Sequence, residues 1–323
     1  LTACGAEKPQ EISLFAMDTY MTLAAYGDSA DDALTAASRE INRLEATLSR
    51  TIDTSDVSRL NAGEAVVVQP ETRALLERAL TLSGETGGTF DMTVAPLVAL
   101  WGITSDAPRV PSQEEIDALL PLVGGEHVHM DDAVTLDTGC AVDLGGIAKG
   151  YASQQVADIL RAHGVTSAVV SLGGNVYVCG GKPDGTPWNV GIQDPAGSGY
   201  AAMVSLTDRF AVTSGGYQRY FEAEDGTVYR HILDPRTGRP ADSDLLSVTI
   251  ISDDGTAADA YSTALYVMGE QEAVSFWRAH GGFELILITA DGRLLYTPGL
   301  SDAITKPEDC AYDFQLLTAQ PAA

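Results

Sequence analysis

From residue 168 to residue 251 one β-prone run follows another, and no other feature limits the fold of this chain so strongly. The runs span 168–172, 176–179, 188–193, 202–206, 210–213 and 246–251, with glycine pairs at Gly173-Gly174 and Gly215-Gly216. A further strand is expected over 229–233, where Pro235 then stops the ladder. Strands over 283–289 and 294–296 should close the sheet. Helical periodicity lies outside this block. Residues 31–48 place Leu34, Ile41, Leu44 and Leu48 on one face, and 70–84 start at a proline. Residues 112–120 open with a Ser112/Glu115 capping box. Two helices are expected over 257–268 and 270–280. At the start, 12–15 and 19–26 read as strands around Met17-Asp18, 66–68 as a short strand, and 128–130 with 134–136 as a hairpin. Residues 49–61 read as a polar loop without periodicity. Nothing after residue 11 has the composition of a linker, so 11–323 is expected to be one α+β domain.

The formal net charge is −26, which repels nucleic acid and anionic lipid. A phosphorylated ligand would then need a metal cation as mediator. No apolar run approaches the roughly 18 residues of a membrane span. Residues 1–5, Leu-Thr-Ala-Cys-Gly, look like the end of a bacterial lipoprotein signal that leaves Cys4 lipidated, and 6–10 would be a polar tether. A chance cysteine is the alternative. Cys140, Cys179 and Cys310 fit no metal spacing, and the first two are expected to be buried free thiols.

Three places carry chemistry. Val142-Asp143-Leu144-Gly145-Gly146-Ile147-Ala148-Lys149-Gly150 turns through two glycines into a helix that continues through Val156, Ile159 and Leu160. Bare backbone, a helix N-terminus and Lys149 suit a phosphorylated ligand, while a turn kept only for packing is the plainer reading. Asp259 and Thr263 stand four apart near the start of a helix, so both face one way. A carboxylate and a hydroxyl one turn apart suit a hard cation such as Mg²⁺, although an acid in a first turn also satisfies the helix dipole. His231, one of five histidines, ends a strand ahead of Asp234-Pro235 and suits proton transfer, or simply bonds loop backbone. Gly87-Gly88-Thr89-Phe90-Asp91 suggests a loop closing on something flat, with a core Phe as the alternative. Neither Gly-x-Ser-x-Gly nor a P-loop pattern occurs.

Taken together these stretches resemble the FAD:protein FMN transferases, the ApbE family. The resemblance is collinear through Met17-Asp18-Thr19, Ser58-Arg59-Leu60-Asn61, Gly88-Thr89-Phe90-Asp91, the Asp143–Gly150 stretch, Ser171-Leu172-Gly173-Gly174-Asn175, Thr213-Ser214-Gly215, His231 to Gly238 and Asp259 to Thr263. It implies a T-fold-like mixed sheet with flanking helices and FAD in a crevice. It implies transfer of FMN from FAD to a threonine or serine hydroxyl of a partner protein, with release of AMP. By resemblance Met17, Thr89, Phe90 and Asp91 are flavin or adenine contacts, Asp143 and Lys149 bind FAD, and Ile232 lies beside it. Gly146 (through its carbonyl), Asp259 and Thr263 are the implied Mg²⁺ ligands and His231 the catalytic histidine. Many members are lipoproteins of the outer face of the bacterial inner membrane, in accord with Cys4. Relatives often place an aromatic over the cofactor near Arg50 and Thr51, whereas this chain has none between Tyr26 and Phe90. The same residues would also serve a Mg²⁺-dependent FAD pyrophosphatase, and a flavin-binding lipoprotein without catalysis is the third possibility.

Overall fold

The computed structural model describes residues 8–217 and 219–318; Cys4 and most of the expected tether lie outside them. Strands β1 (Gln10–Ala16) and β2 (Thr19–Ala25) form a hairpin in full register. Met17 and Asp18 are its two-residue turn, with φ of 49° and 58°. Positive φ at both central positions gives a tight hairpin turn the twist of its strands, and Asp is among the residues that tolerate it. Five helices follow: α1 (Ala30–Leu48), α2 (Asp56–Asn61), α3 (Pro70–Glu85), α4 (Ala95–Trp101) and α5 (Gln113–Leu119). α2 lies inside the stretch expected to be a loop. Strands β3 (Val128–Met130) and β4 (Val134–Leu136) make the expected hairpin, while the expected 66–68 strand reduces to one bridge from Val66 to Val134.

α6 (Ala148–Ala162) leads into the β region: β5 (Ser167–Leu172), β6 (Asn175–Gly180), β7 (Trp188–Gln193), β8 (Tyr200–Leu206) and β9 (Arg209–Gly215). Two small ribbons come next, β10 (Tyr220–Glu222) with β11 (Val228–Arg230), and β12 (Leu233–Asp234) with β13 (Arg239–Pro240). The strand expected over 229–233 is thus broken at His231 and Ile232. His231 N–H bonds the Arg219 carbonyl, which extends the first ribbon, and the Ile232 carbonyl already accepts from Ala241 N–H, which belongs to the second. β14 (Leu245–Ser252), α7 (Gly255–His280), β15 (Glu284–Thr289), β16 (Arg293–Tyr296), β17 (Ile304–Thr305) and β18 (Asp313–Leu316) complete the chain. The two helices expected over 257–280 are continuous except at Gly269, whose φ of 75° and ψ of 177° interrupt α7.

The large sheet runs β1-β2-β5-β6-β9-β14-β15-β16-β18. Every neighbouring pair is antiparallel except β16 with β18, so the sheet is mixed and β18, not β16, forms its edge. Short turns between sequential strands make antiparallel pairing the natural outcome. One face, with Leu23, Val170, Leu172, Val212, Val248 and Ile250, packs into the main core under α1, α6 and α7. The other, with Val178, Ala211, Ile251 and Ile286, is covered by the small sheet β17-β8-β7. A third apolar cluster gathers Leu97, Trp101, Ile116 and Leu233, with Phe221 and Tyr229 packed on it. Cys140 and Cys179 are buried free thiols, and burial raises the pKa of each. Among the described residues no helix is long and apolar enough to cross a membrane.

Candidate active site

The corner where α6 meets α7 is the densest part of the site. Gly150, in the first turn of α6, donates its N–H to Asp259 Oδ2 at 2.8 Å. A Cβ on Gly150 would collide with the Gly255 carbonyl and stand 2.6 Å from Asp259 Cβ, so only glycine lets the two helices meet this closely. Asp259 is buried, and no Lys, Arg or His pairs with it among the described residues. A buried carboxylate without a cation is costly in a low dielectric and calls for a positive partner.

The hydroxyls beside it fix their own proton directions. Ser262 Oγ–H donates to the Asp259 carbonyl at 2.9 Å, since a carbonyl can only accept. The 2.8 Å contact from Ser214 to Ser262 therefore uses the Ser214 proton. Thr263 Oγ1, 3.2 Å from Ser214 Oγ, is left as the donor of that pair, with its lone pairs free. A Cβ on Gly146 would stand 3.7 Å from Thr263 Oγ1 and 3.3 Å from the Phe90 ring, so the Gly145-Gly146 turn faces both. Gly146 thus neighbours Thr263, and Asp259 lies one helical turn from Thr263 on α7. Carboxylate, hydroxyl and backbone carbonyl are hard oxygen donors that fit Mg²⁺. Among the described residues there is no cluster of three or more His, Cys, Asp or Glu able to hold a metal, so a cation here would lean on uncharged oxygens.

Asp143 and Lys149 border the same turn. Asp143 Oδ1 accepts from Gly145 N–H at 2.7 Å, and Oδ2 lies 3.2 Å from Arg50 Nε. Lys149 Nζ donates to the Gly145 carbonyl at 3.0 Å. Asn61 fixes the approach by pairing with both backbone groups of Val142, at 2.7 and 2.9 Å. Thr89 and Asp91 are buried, and their described bonds stay inside the protein: Thr89 to the Thr86 carbonyl, Asp91 to Thr93 and Ser83. They hold the loop that aims Phe90. Met17 sits in the hairpin turn, its N–H bonded to Glu45 Oε1 at 2.7 Å.

His231 stands between the two ribbons with Ile232 buried beside it. It lines a narrow crevice with Val98, Trp101, Ile103, Thr104 and Leu233. Its Nδ1 is 3.1 Å from the Arg219 carbonyl, which must accept, so Nδ1 carries the proton and Nε2 is bare. Burial pushes its pKa down to about 4; the Arg219 carbonyl opposes that shift, and the positive charges of Arg219 and Lys149 add to it. The ring is neutral near pH 7, the state a proton acceptor needs. Lys149 touches the glycine turn and also acts on His231, which places the expected base within electrostatic reach of the expected phosphate site. A separate open concavity around Arg73, Met130, Asp131, Asp132 and Ala133 contains none of these residues.

Sequence reasoning missed Arg50, Ser214, Gly150 as a contact residue, and the pair Asp18 and Arg219. Ser214 and Gly150 sit in quoted motifs, but their partners are 48 and 109 residues away.

Known proteins resemble this chain over most of its length. A family model described as the ApbE family matches residues 17–287. A Treponema pallidum protein named FAD:protein FMN transferase is 37% identical over 286 residues, 82% of this chain and 79% of that one. One of the same name from Escherichia coli K12 is 33% identical over 251 residues, 74% of this chain and 71% of the other. The crystal structure of an ApbE protein from Thermotoga maritima superposes with a TM-score of 0.82 at 35% identity, covering 93% of this chain and 97% of that one. The apo form of a Pseudomonas stutzeri flavinyl transferase ApbE gives 0.80 at 30% identity, with 95% and 97% covered.

Proposed function

Since the chain belongs to the ApbE family, we propose that it is an FAD:protein FMN transferase that moves FMN from FAD onto a threonine or serine hydroxyl of a partner protein. The observation that carries the proposal is the buried, cation-free Asp259 one turn from Thr263 and beside the glycine turn that Lys149 borders.

Gly146 (by its carbonyl), Asp259 and Thr263 would hold Mg²⁺, which supplies charge neutralisation on the pyrophosphate. Phe90 offers an aromatic face to the adenine or flavin, with Thr89 and Asp91 fixing its loop. Met17 and Ile232 flank the ligand. Lys149 brings a formal charge to the phosphates, and Asp143 keeps the turn in shape while pairing with Arg50. Transfer of this kind rests on alignment and charge stabilisation more than on covalent help. The acceptor hydroxyl oxygen bonds to the phosphorus on the riboflavin side. The bond from that phosphorus to the bridging oxygen breaks, and AMP leaves with the electron pair. The hydroxyl proton goes to Nε2 of His231. Lipid attachment at Cys4 to the outer face of a bacterial membrane belongs to the same proposal, supported by the small residues before Cys4 and the polar stretch after it. Two or three acyl chains anchor firmly where one does not. Cys4→Ser protein, expressed with its signal, should leave the membrane fraction; equal retention would overturn the anchor.

The test is incubation with FAD, Mg²⁺ and a purified flavin-acceptor domain, read by in-gel flavin fluorescence. A fluorescent acceptor band that needs Mg²⁺ and the acceptor hydroxyl is expected. Free FMN and AMP with an unlabelled acceptor would make the protein a pyrophosphatase instead.

A further inference from the structure

The turn at Met17-Asp18 and the ribbon that carries His231 meet through one side chain. Arg219 Nη1 donates to Asp18 Oδ2 at 2.6 Å, and Nη2 donates to the Asp18 carbonyl at 2.7 Å, across 201 residues of sequence. The backbone of the same arginine holds the histidine: its carbonyl accepts from His231 N–H and from Nδ1, each at 3.1 Å. We propose that Asp18 and Arg219 are a positioning pair that fixes where the His231 ring stands and which of its nitrogens is bare. This rests on the reading that His231 takes the acceptor proton.

Three features argue for position rather than stability. Asp18 is mostly in solvent and Arg219 partly so, and an exposed ion pair adds little to stability. Yet the turn adopts two successive left-handed residues, a conformation that L side chains keep only when their surroundings hold it. Glu45 holds it from α1 through Met17 N–H, and Arg219 holds it from the ribbon through two donors in a fixed fork. Within the ribbon Phe221 stacks on its cross-strand partner Tyr229, and Tyr229 in turn packs against Trp101 on the far side, both at 5.3 Å between ring centres. That apolar contact seats the far side of the ribbon on its own small cluster. The Arg219 fork, joined to the turn that carries Met17, sets its direction relative to the flavin side of the site.

Arg219→Lys keeps the charge and loses the fork. Asp18→Asn keeps the left-handed preference and the carbonyl bond, and loses only the carboxylate. With ¹⁵N-labelled histidine in the full chain, the wild type should show His231 as a single tautomer, protonated at Nδ1. Arg219→Lys should show averaged ring-nitrogen shifts, and kcat for flavinylation should fall about tenfold to a hundredfold, the size of effect a misplaced group produces, with KM for FAD unchanged. Asp18→Asn should show the same two changes, smaller, and the double variant should be no worse than Arg219→Lys, as expected for residues acting as one unit. Thermal melts should stay close to wild type. An Arg219→Lys protein with unaltered ring shifts overturns the proposal whatever its rate, as does one with wild-type kcat. If His231→Ala keeps its activity, the base assignment fails instead, and the ring shifts still report on the pair.

Discussion

Asp259 sits in a corner where not even a methyl group could be added at Gly150, while His231 hangs on a two-stranded ribbon held at its rim by a solvent-exposed arginine. The corner is made by two long helices, backbone against backbone, over the main core. The ribbon is three residues to a strand and rests on a separate small cluster around Trp101. Under the proposed function the two parts have different jobs. A cation and a pyrophosphate need fixed oxygens in a rigid frame, because misplaced charge stabilises nothing. A protein acceptor has to bring its hydroxyl in from outside, so its proton acceptor belongs at the edge, on a part that can be set and reset by surface bonds.

The contrast breaks first at Asp259. Asp259→Ala should lower FMN transfer by several kcal/mol of transition-state stabilisation, on the order of 10³-fold, with little rescue from excess Mg²⁺. FMN transfer measured against Mg²⁺ concentration decides it; a normal rate and normal Mg²⁺ dependence would mean that the acid merely serves the helix dipole. His231→Ala should cost about 10²–10⁴ in transfer rate and leave FAD affinity nearly unchanged. Parallel flavinylation kinetics and FAD titration check this, and a matching loss of affinity would move His231 into the binding site proper. Gly150→Ala should destabilise the fold by about 1–3 kcal/mol, because backbone cannot step aside for the new Cβ. It should also weaken Mg²⁺ dependence by pushing Asp259. A melt within a degree of wild type would show the corner to be looser than described.

The smallest effect is that of pH. His231 has a folded pKa of about 4, below the ordinary histidine value near 6.5. Between those values the unfolded chain binds a proton there and the folded chain does not. Its contribution to stability is therefore complete above about pH 6.5 and is lost as pH falls through the folded value. Transfer should accordingly hold its rate well below pH 6.5 before the acid limb appears. An acid limb centred at 6.5 or above would place the ring in water rather than in its crevice.

What could be read from the residues is what depends on neighbours in sequence. α1, α3 and α6 announce themselves by apolar spacing, and Asp259 and Thr263 share a face because a helix has a fixed pitch. The glycine turn into α6 lies where the residues put it. α2 escaped because its six residues are stabilised from far off: buried Asp56 accepts from Gln69 N–H and Thr72 Oγ1, at 2.7 and 2.8 Å. Only its N-cap, Ser55 accepting from Ser58 N–H, was a local signal. β18 escaped because four mostly exposed residues carry no alternation strong enough to mark a strand. The fork from Arg219 to Asp18 leaves no trace in sequence, since nothing in either neighbourhood refers to the other. The hydroxyl chain from Thr263 to Asp259 was half visible: its spacing could be read, but the direction of its protons needed Ser214 in place.

Gly269 makes α7 two packed segments instead of one rod. Its φ of 75° and ψ of 177° break the ladder, and Glu270 N–H bonds Asp244 Oδ1 at 2.9 Å, so the second segment starts anew from a loop. A Cβ at Gly269 would stand 2.9 Å from that same carboxylate oxygen, so the joint has no room for a stiffer residue. The second segment ends among Phe276, Trp277 and Phe283, far along the chain from Asp259. Yet the chain turns back at the joint, because Phe276 and Phe283 each pack against Tyr261 at 5.3 Å between ring centres, on the turn that carries Asp259 and Thr263. The second segment therefore bears on residues 259 to 263 from the side, through the rings of His280, Phe276 and Tyr261, and not only end to end along an axis.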